Sequence, residues 1–153
     1  CCCISLPSCE AANSRIFSLP PLLAATSSEN FIATVDLEKG DLPPVVDIEE
    51  TYGVDPVLIR RRLKEFMNVI EEHYKVRPIL YTYVDYYANV LGDDFDEYPL
   101  WVAHYIKMNR PRIDREWLFW QHNEGGKVNG ILTPVDFDVF SGDSALFKSL
   151  LVP

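Results

Sequence analysis

Short apolar runs alternate with helix-period segments from residue 44 to the end of this 153-residue chain, and that alternation leaves few folds open. The apolar runs are residues 44–48, 78–82, 100–105, 117–121 and 135–138. Between the first two, Asp55-Pro56 supplies an N-cap carboxylate followed by proline at the first helical position. Ile59, Leu63, Phe66, Met67, Ile70 and Tyr74 then recur at helical spacing as far as Lys75. Tyr83 to Leu91 predicts a shorter helix closed by Gly92, and Ser144 to Leu150 a terminal one. Lys127-Val128 and Ile131-Leu132 flank Gly130 and predict a short hairpin or bulge. Strands separated by helices pair in parallel through right-handed crossovers, so the expected class is α/β. Every strand also runs into polar or aromatic groups at its C-terminal end: Asp47 and Glu49, Tyr81 and Tyr83, His104 and Tyr105, Gln121 and His122, Asp136 and Asp138. The active-site rim of a βα-barrel has that arrangement.

The first strand carries the sharpest chemical signal. Val45-Val46-Asp47-Ile48-Glu49-Glu50 ends in carboxylates at i and i+2. Strand side chains alternate between faces, so Asp47 and Glu49 share one side, with Cα atoms about 6.5–7 Å apart, and Glu50 points to the other. Like charges that close resist joint ionisation, and one proton affinity rises. A protonated acid beside an anion is the pairing that cleaves glycosidic bonds.

Composition removes several alternatives. Apolar content of 48% and charged content of 24% are those of a globular protein. The net charge of −9 argues against nucleic acid as a partner, because no basic stripe is present to neutralise phosphates. Arg60-Arg61-Arg62 lies within the long helix and reads as a solvated face. No apolar run approaches the ~20 residues of a membrane helix, so no membrane association is expected. No secretory signal is legible. The four cysteines, Cys1, Cys2, Cys3 and Cys9, all fall in the first nine residues and are not expected to staple the fold or bind metal. Residues 1–27 show no sustained period and read as an atypical, disordered or non-native leader, with order beginning at Ser28 as the N-cap of a helix through Val35.

Taken in order, Val45 to Glu49, Pro78 to Thr82, Leu100 to Tyr105, Trp117 to Gln121, Gly125, Val128, Gly130-Ile131, Val135-Asp136, Phe140 and Gly142 resemble glycoside hydrolase family 25, the lysozymes of the Chalaropsis and cellosyl type. The match covers roughly residues 28–153. The resemblance implies a TIM-like barrel and a muramidase, EC 3.2.1.17, that hydrolyses the β-1,4 bond between N-acetylmuramic acid and N-acetylglucosamine. By similarity Glu49 is the general acid and Asp47 stays anionic to assist the substrate acetamido group. Asp136 matches a further acidic position of the cleft. Tyr81, Trp101, Tyr105 and Gln121 match groove positions, and Trp120 joins them as a substrate-binding candidate. His104 and His122 are expected to be structural. No cofactor and no metal are implied. The implied partner is the peptidoglycan glycan strand, the implied place of action extracellular or at the cell wall, and the implied state a monomer.

The chain also departs from the family. Members begin with a strand carrying Asp-x-Ser, and neither it nor the next two strand motifs is legible in residues 1–27. About five strands are recognisable, too few to close a barrel of eight. Open edges expose unpaired backbone groups and invite self-association. Three readings therefore follow: a peptidoglycan hydrolase, an impaired fragment acting at most as a glycan-binding module, and a Mg²⁺-dependent enzyme using Asp47, Glu49 and Asp136 as oxygen ligands.

Overall fold

A computed structural model describes residues 3–4, 16–18, 24–105 and 109–153. The elements are β1 (Cys3–Ile4), β2 (Ile16–Ser18), α1 (Ala24–Thr34), β3 (Val45–Asp47), α2 (Pro56–Tyr74), β4 (Ile79–Tyr83), α3 (Val84–Tyr86), β5 (Leu100–Ala103), β6 (Phe119–Gly126), β7 (Val135–Phe140) and α4 (Ser144–Leu150). Helix α3 continues through a π turn over Tyr87–Leu91 and a 3₁₀ turn over Gly92–Phe95. The strands form one sheet in the order β1-β7-β6-β5-β4-β3-β2. Among the described residues its two edges, β1 and β2, do not pair with each other, so this α/β sheet is not closed into a barrel there.

Helix α2 forms as its sequence dictates. Asp55 Oδ1 accepts from the Val57 N–H at 2.8 Å, and Pro56 follows in the first turn. Lys75 closes the helix in the left-handed conformation at φ 59°, its N–H donating to the Glu71 carbonyl. Ile59, Leu63, Phe66, Met67 and Ile70 form the buried stripe between. They pack with Val46, Leu80, Val102 and Trp120 on one face of the sheet. Phe17 of β2 joins this layer, stacked on Phe66 with ring centroids 5.5 Å apart. Each fully buried side chain of this kind contributes roughly 1.5–3 kcal/mol.

The opposite, inner face carries a second cluster: Leu42, Val45, Ile79, Trp101, Phe119, Phe140 and, from α4, Phe147. Strand parity separates the layers cleanly. Val45, Ile79, Trp101 and Phe119 face inward, while Val46, Leu80, Val102 and Trp120 face the helices. Register carries that parity across the sheet: Asp47 pairs with Tyr81, Tyr81 with Trp101, and Ala103 with Gln121.

Four expectations change. Within residues 1–27, read as an atypical, disordered or non-native leader, Ile16–Ser18 pair in parallel with Val45–Asp47, and Cys3–Ile4 pair with β7. The first helix begins at Ala24, so the boundary expected at residue 27 falls inside α1. Seven strands are present among the described residues, where about five were recognisable. Finally, β7 runs antiparallel to β6, because residues 127–134 form a direct turn rather than a helical crossover. Gly130 supplies φ 92° there, and the Ile131 N–H donates to the Val128 carbonyl at 3.0 Å. Gly126 lets the two strands approach: a Cβ at this position would lie 2.7 Å from the Val135 carbonyl oxygen. Cys1, Cys2 and Cys9 lie outside the described residues.

Candidate active site

The C-terminal ends of β2 to β6 bring together the inward-facing polar groups. Asp47 is the last residue of β3, and Glu49 follows two positions later. The backbone between them is fixed on both sides: the Ile48 N–H donates to the Tyr81 carbonyl at 3.0 Å, and Thr82 Oγ1 donates to the Ile48 carbonyl at 2.6 Å. Ile48 is buried among the helix-facing residues, which leaves its two neighbours on the inner side. Ser18, opposite Asp47 in the β2–β3 register, donates its hydroxyl to Asp47 Oδ2 at 2.5 Å.

The two carboxyl groups differ in environment. Burial pushes both above the ordinary carboxylate range. At Asp47 the Ser18 hydroxyl opposes that rise by stabilising the anion. At Glu49 every cause acts upward: burial first, then the negative charges of Asp47, Glu50 and Glu124. The Ser18 hydroxyl thus favours the anion at Asp47, and the surrounding negative charges favour the protonated acid at Glu49.

Beside this pair, Tyr81 and Tyr105 both donate to Gln121 Oε1, at 2.6 and 2.9 Å. Burial and then the Glu49 charge push the Tyr81 phenol far up. Burial chiefly raises Tyr105 to about 12. Both hydroxyls thus stay neutral donors through the physiological range. Tyr105 is 44% exposed and lies at the rim; Gln121 is buried beneath it. Asp136, half-buried on β7, is close enough for its charge to raise both Tyr105 and Asp138.

Two expected groove residues are corrected. Trp101 is 0% exposed within the inner cluster, where its indole meets the Tyr81 ring edge-on at 5.9 Å. It supports the site from below and offers no surface to a ligand. Trp120 faces the helices, is 5% exposed, and donates its indole N–H to the His104 carbonyl at 2.9 Å. His104 Nδ1 accepts from the Arg112 N–H, and His122 lies between Trp120 and Phe137. Among the described residues, no three His, Cys, Asp or Glu side chains are grouped to hold a metal ion, so Asp47, Glu49 and Asp136 do not form the cluster a Mg²⁺ site needs. No helix among those residues is long and apolar enough to cross a membrane.

The sequence reading missed Ser18 and Glu124. Asp138, expected among the groups of the rim, sits on β7, buried against Trp101. The signal was available, because Asp136 and Asp138 repeat the i, i+2 spacing of Asp47 and Glu49 on a strand. The opposite end of the sheet is different in kind. A hollow of about 640 Å³ there is lined by Tyr98, Leu100, Trp117 and Leu118 and walled by Arg115, whose guanidinium donates to the Phe95, Asp96 and Tyr98 carbonyls. Those bonds tie down the connection into β5.

A family model described as Glycosyl hydrolases family 25 matches residues 17–131. The uncharacterized protein YegX of Escherichia coli (strain K12) is 37% identical over 123 residues, which is 80% of this chain and 45% of YegX. The autolytic lysozyme of Clostridium acetobutylicum is 30% identical over 117 residues, 76% of this chain and 35% of that protein. A family 25 glycosyl hydrolase from Bacillus anthracis has the same fold, with a TM-score of 0.79 at 24% identity, covering 88% of this chain and 66% of that one. The chain belongs to glycosyl hydrolase family 25. It spans less than half the length of these two curated relatives.

Proposed function

We propose that the protein is a peptidoglycan hydrolase of the muramidase type, cleaving the β-1,4 bond from N-acetylmuramic acid to N-acetylglucosamine. The observation that carries this reading is the carboxyl pair on the inner face: burial and the neighbouring negative charges raise Glu49, while the Ser18 hydroxyl opposes the rise that burial imposes on Asp47. Glu49 donates its proton to the glycosidic oxygen as the bond to the anomeric carbon breaks. The acetamido oxygen of the muramic acid residue closes on that carbon, while Asp47 accepts from the acetamido N–H and stabilises its positive charge. Glu49, now a carboxylate, takes a proton from water, and the hydroxide opens the cyclic intermediate with net retention. Substrate-assisted retention of this kind is a recognised variant of two-carboxylate chemistry. Tyr81 and Tyr105, anchored on Gln121, offer hydroxyls along the groove, with Asp136 as a further acidic wall. Such a substrate places the work at the cell wall, outside the cytoplasm. The autolytic lysozyme relative supports the activity class.

The test is hydrolysis of purified peptidoglycan by the wild type and by Glu49→Gln across pH 4–7. Reducing ends should appear with the wild type and vanish with the variant. Among the described residues β1 and β2 do not pair, which favours a second reading, a module that binds glycan without cleaving it. In that case wild type and Glu49→Gln bind muropeptides alike and neither hydrolyses them.

A further inference from the structure

Beneath the proposed groove lies a carboxyl group that the mechanism above leaves unused. Asp138 is 5% exposed, on the inner face of β7. Its Oδ1 accepts the Trp101 indole N–H at 2.7 Å. Its Oδ2 is buried and has no hydrogen-bond partner among the described residues. Among the described residues, the groups packed around it offer no counter-charge. Trp101 on β5 and its register partner Gln121 on β6 are uncharged, and Asp136 on its own strand is negative. On its other side, β7 pairs with the backbone of β1, Ile4 being opposite Asp138.

An ionised carboxylate in such a place would have one hydrogen bond, a like charge nearby and an orphaned anionic oxygen, which is the costliest state a buried acid can take. A neutral acid keeps the Trp101 bond and leaves only an unpaired hydroxyl. We propose that Asp138 is a positioning residue that works as a neutral carboxylic acid, with its proton on Oδ2, and pins Trp101 beneath Tyr81 and hence beneath the groove. Burial raises its proton affinity to about 6, with the Asp136 charge adding and the Trp101 bond opposing. Trp101 in turn holds the Tyr81 ring edge-on, and Tyr81 donates to Gln121 beside Glu49. As pH rises through about 6, ionisation of Asp138 puts a charge under this stack and loosens it. The positioning role rests on the hydrolase reading; the protonation state does not.

Asp138→Asn and Asp138→Leu separate the two. Asparagine keeps the acceptor for Trp101 and cannot ionise, while leucine removes the acceptor. Two readouts apply from pH 4.5 to 8: tryptophan emission of the free protein, and kcat and KM on peptidoglycan. The wild type should show an emission change centred near pH 6 that Asp138→Asn lacks. Asp138→Leu should lose at least tenfold in kcat. Asp138→Asn should restore kcat at pH 5 to within about threefold of the wild type and carry its activity to higher pH. Superimposable emission and pH-rate profiles for the wild type and Asp138→Asn would overturn the proposal. So would an Asp138→Leu variant, folded by circular dichroism, with wild-type kcat. A wild type that shows the emission change but never hydrolyses peptidoglycan would uphold the neutral acid and overturn the hydrolase reading instead.

Discussion

Ser18 Oγ donates to Asp47 Oδ2 across 2.5 Å, joining a strand that sequence inspection passes over to the carboxylate pair that defines the site. This bond opposes the upward push of burial on Asp47 and so favours its anion. Ser18→Ala removes it. A hydrogen bond to a charged group contributes about 1.5–3 kcal/mol, and one pKa unit corresponds to about 1.4 kcal/mol. The acid limb of the pH-rate profile should therefore move upward by about one unit, with kcat/KM falling most at the lowest pH. An unchanged acid limb would mean that Asp47 is not the ionised partner.

The raised carboxyl groups have a consequence for stability. Asp47, Glu49 and Asp138 all bind protons more tightly folded than unfolded. As pH rises from about 4, the unfolded chain releases these protons while the folded chain still holds them, so unfolding becomes easier. The loss continues until the folded groups ionise, near pH 6 for Asp138. The net charge of −9 adds repulsion in the same direction. Urea midpoints should accordingly be higher near pH 4.5 than at pH 7. Asp138→Asn should flatten part of that slope.

Trp101 and Tyr105 were expected to act alike, and the structure sets them apart. Trp101 fills the inner core, so Trp101→Ala should cost about 3–5 kcal/mol of stability by urea denaturation. Tyr105 stands at the rim, and Tyr105→Ala should change stability by no more than about 1 kcal/mol while raising KM for peptidoglycan. Equal stability losses would show that Tyr105 is packed rather than offered to a ligand.

How much of this was legible follows from the physics of each element. Helix α2 was readable to its caps, because Asp55, Pro56 and the apolar stripe are local signals. The shared face of Asp47 and Glu49 was readable because strand parity is strict. Parity gives relative faces only, and a sheet buried on both sides is apolar on both. Nothing in Leu100-Trp101-Val102 or Phe119-Trp120-Gln121 says which face meets the helices, and so Trp101 and Trp120 were misplaced. The Ile16–Ser18 strand is too short for a period to register, and its place depends on long-range pairing with Val45–Asp47. The antiparallel turn of β7 was half visible in Gly130, but strand direction was decided by the short link through residues 127–134.

The most direct test of the central claim is to digest purified peptidoglycan with the wild type and with Glu49→Gln, reduce the products with borohydride, and identify the new terminal sugar alcohol by mass spectrometry. The account predicts N-acetylmuramitol ends from the wild type and none from the variant. N-acetylglucosaminitol ends, or equal release by both proteins, would contradict it.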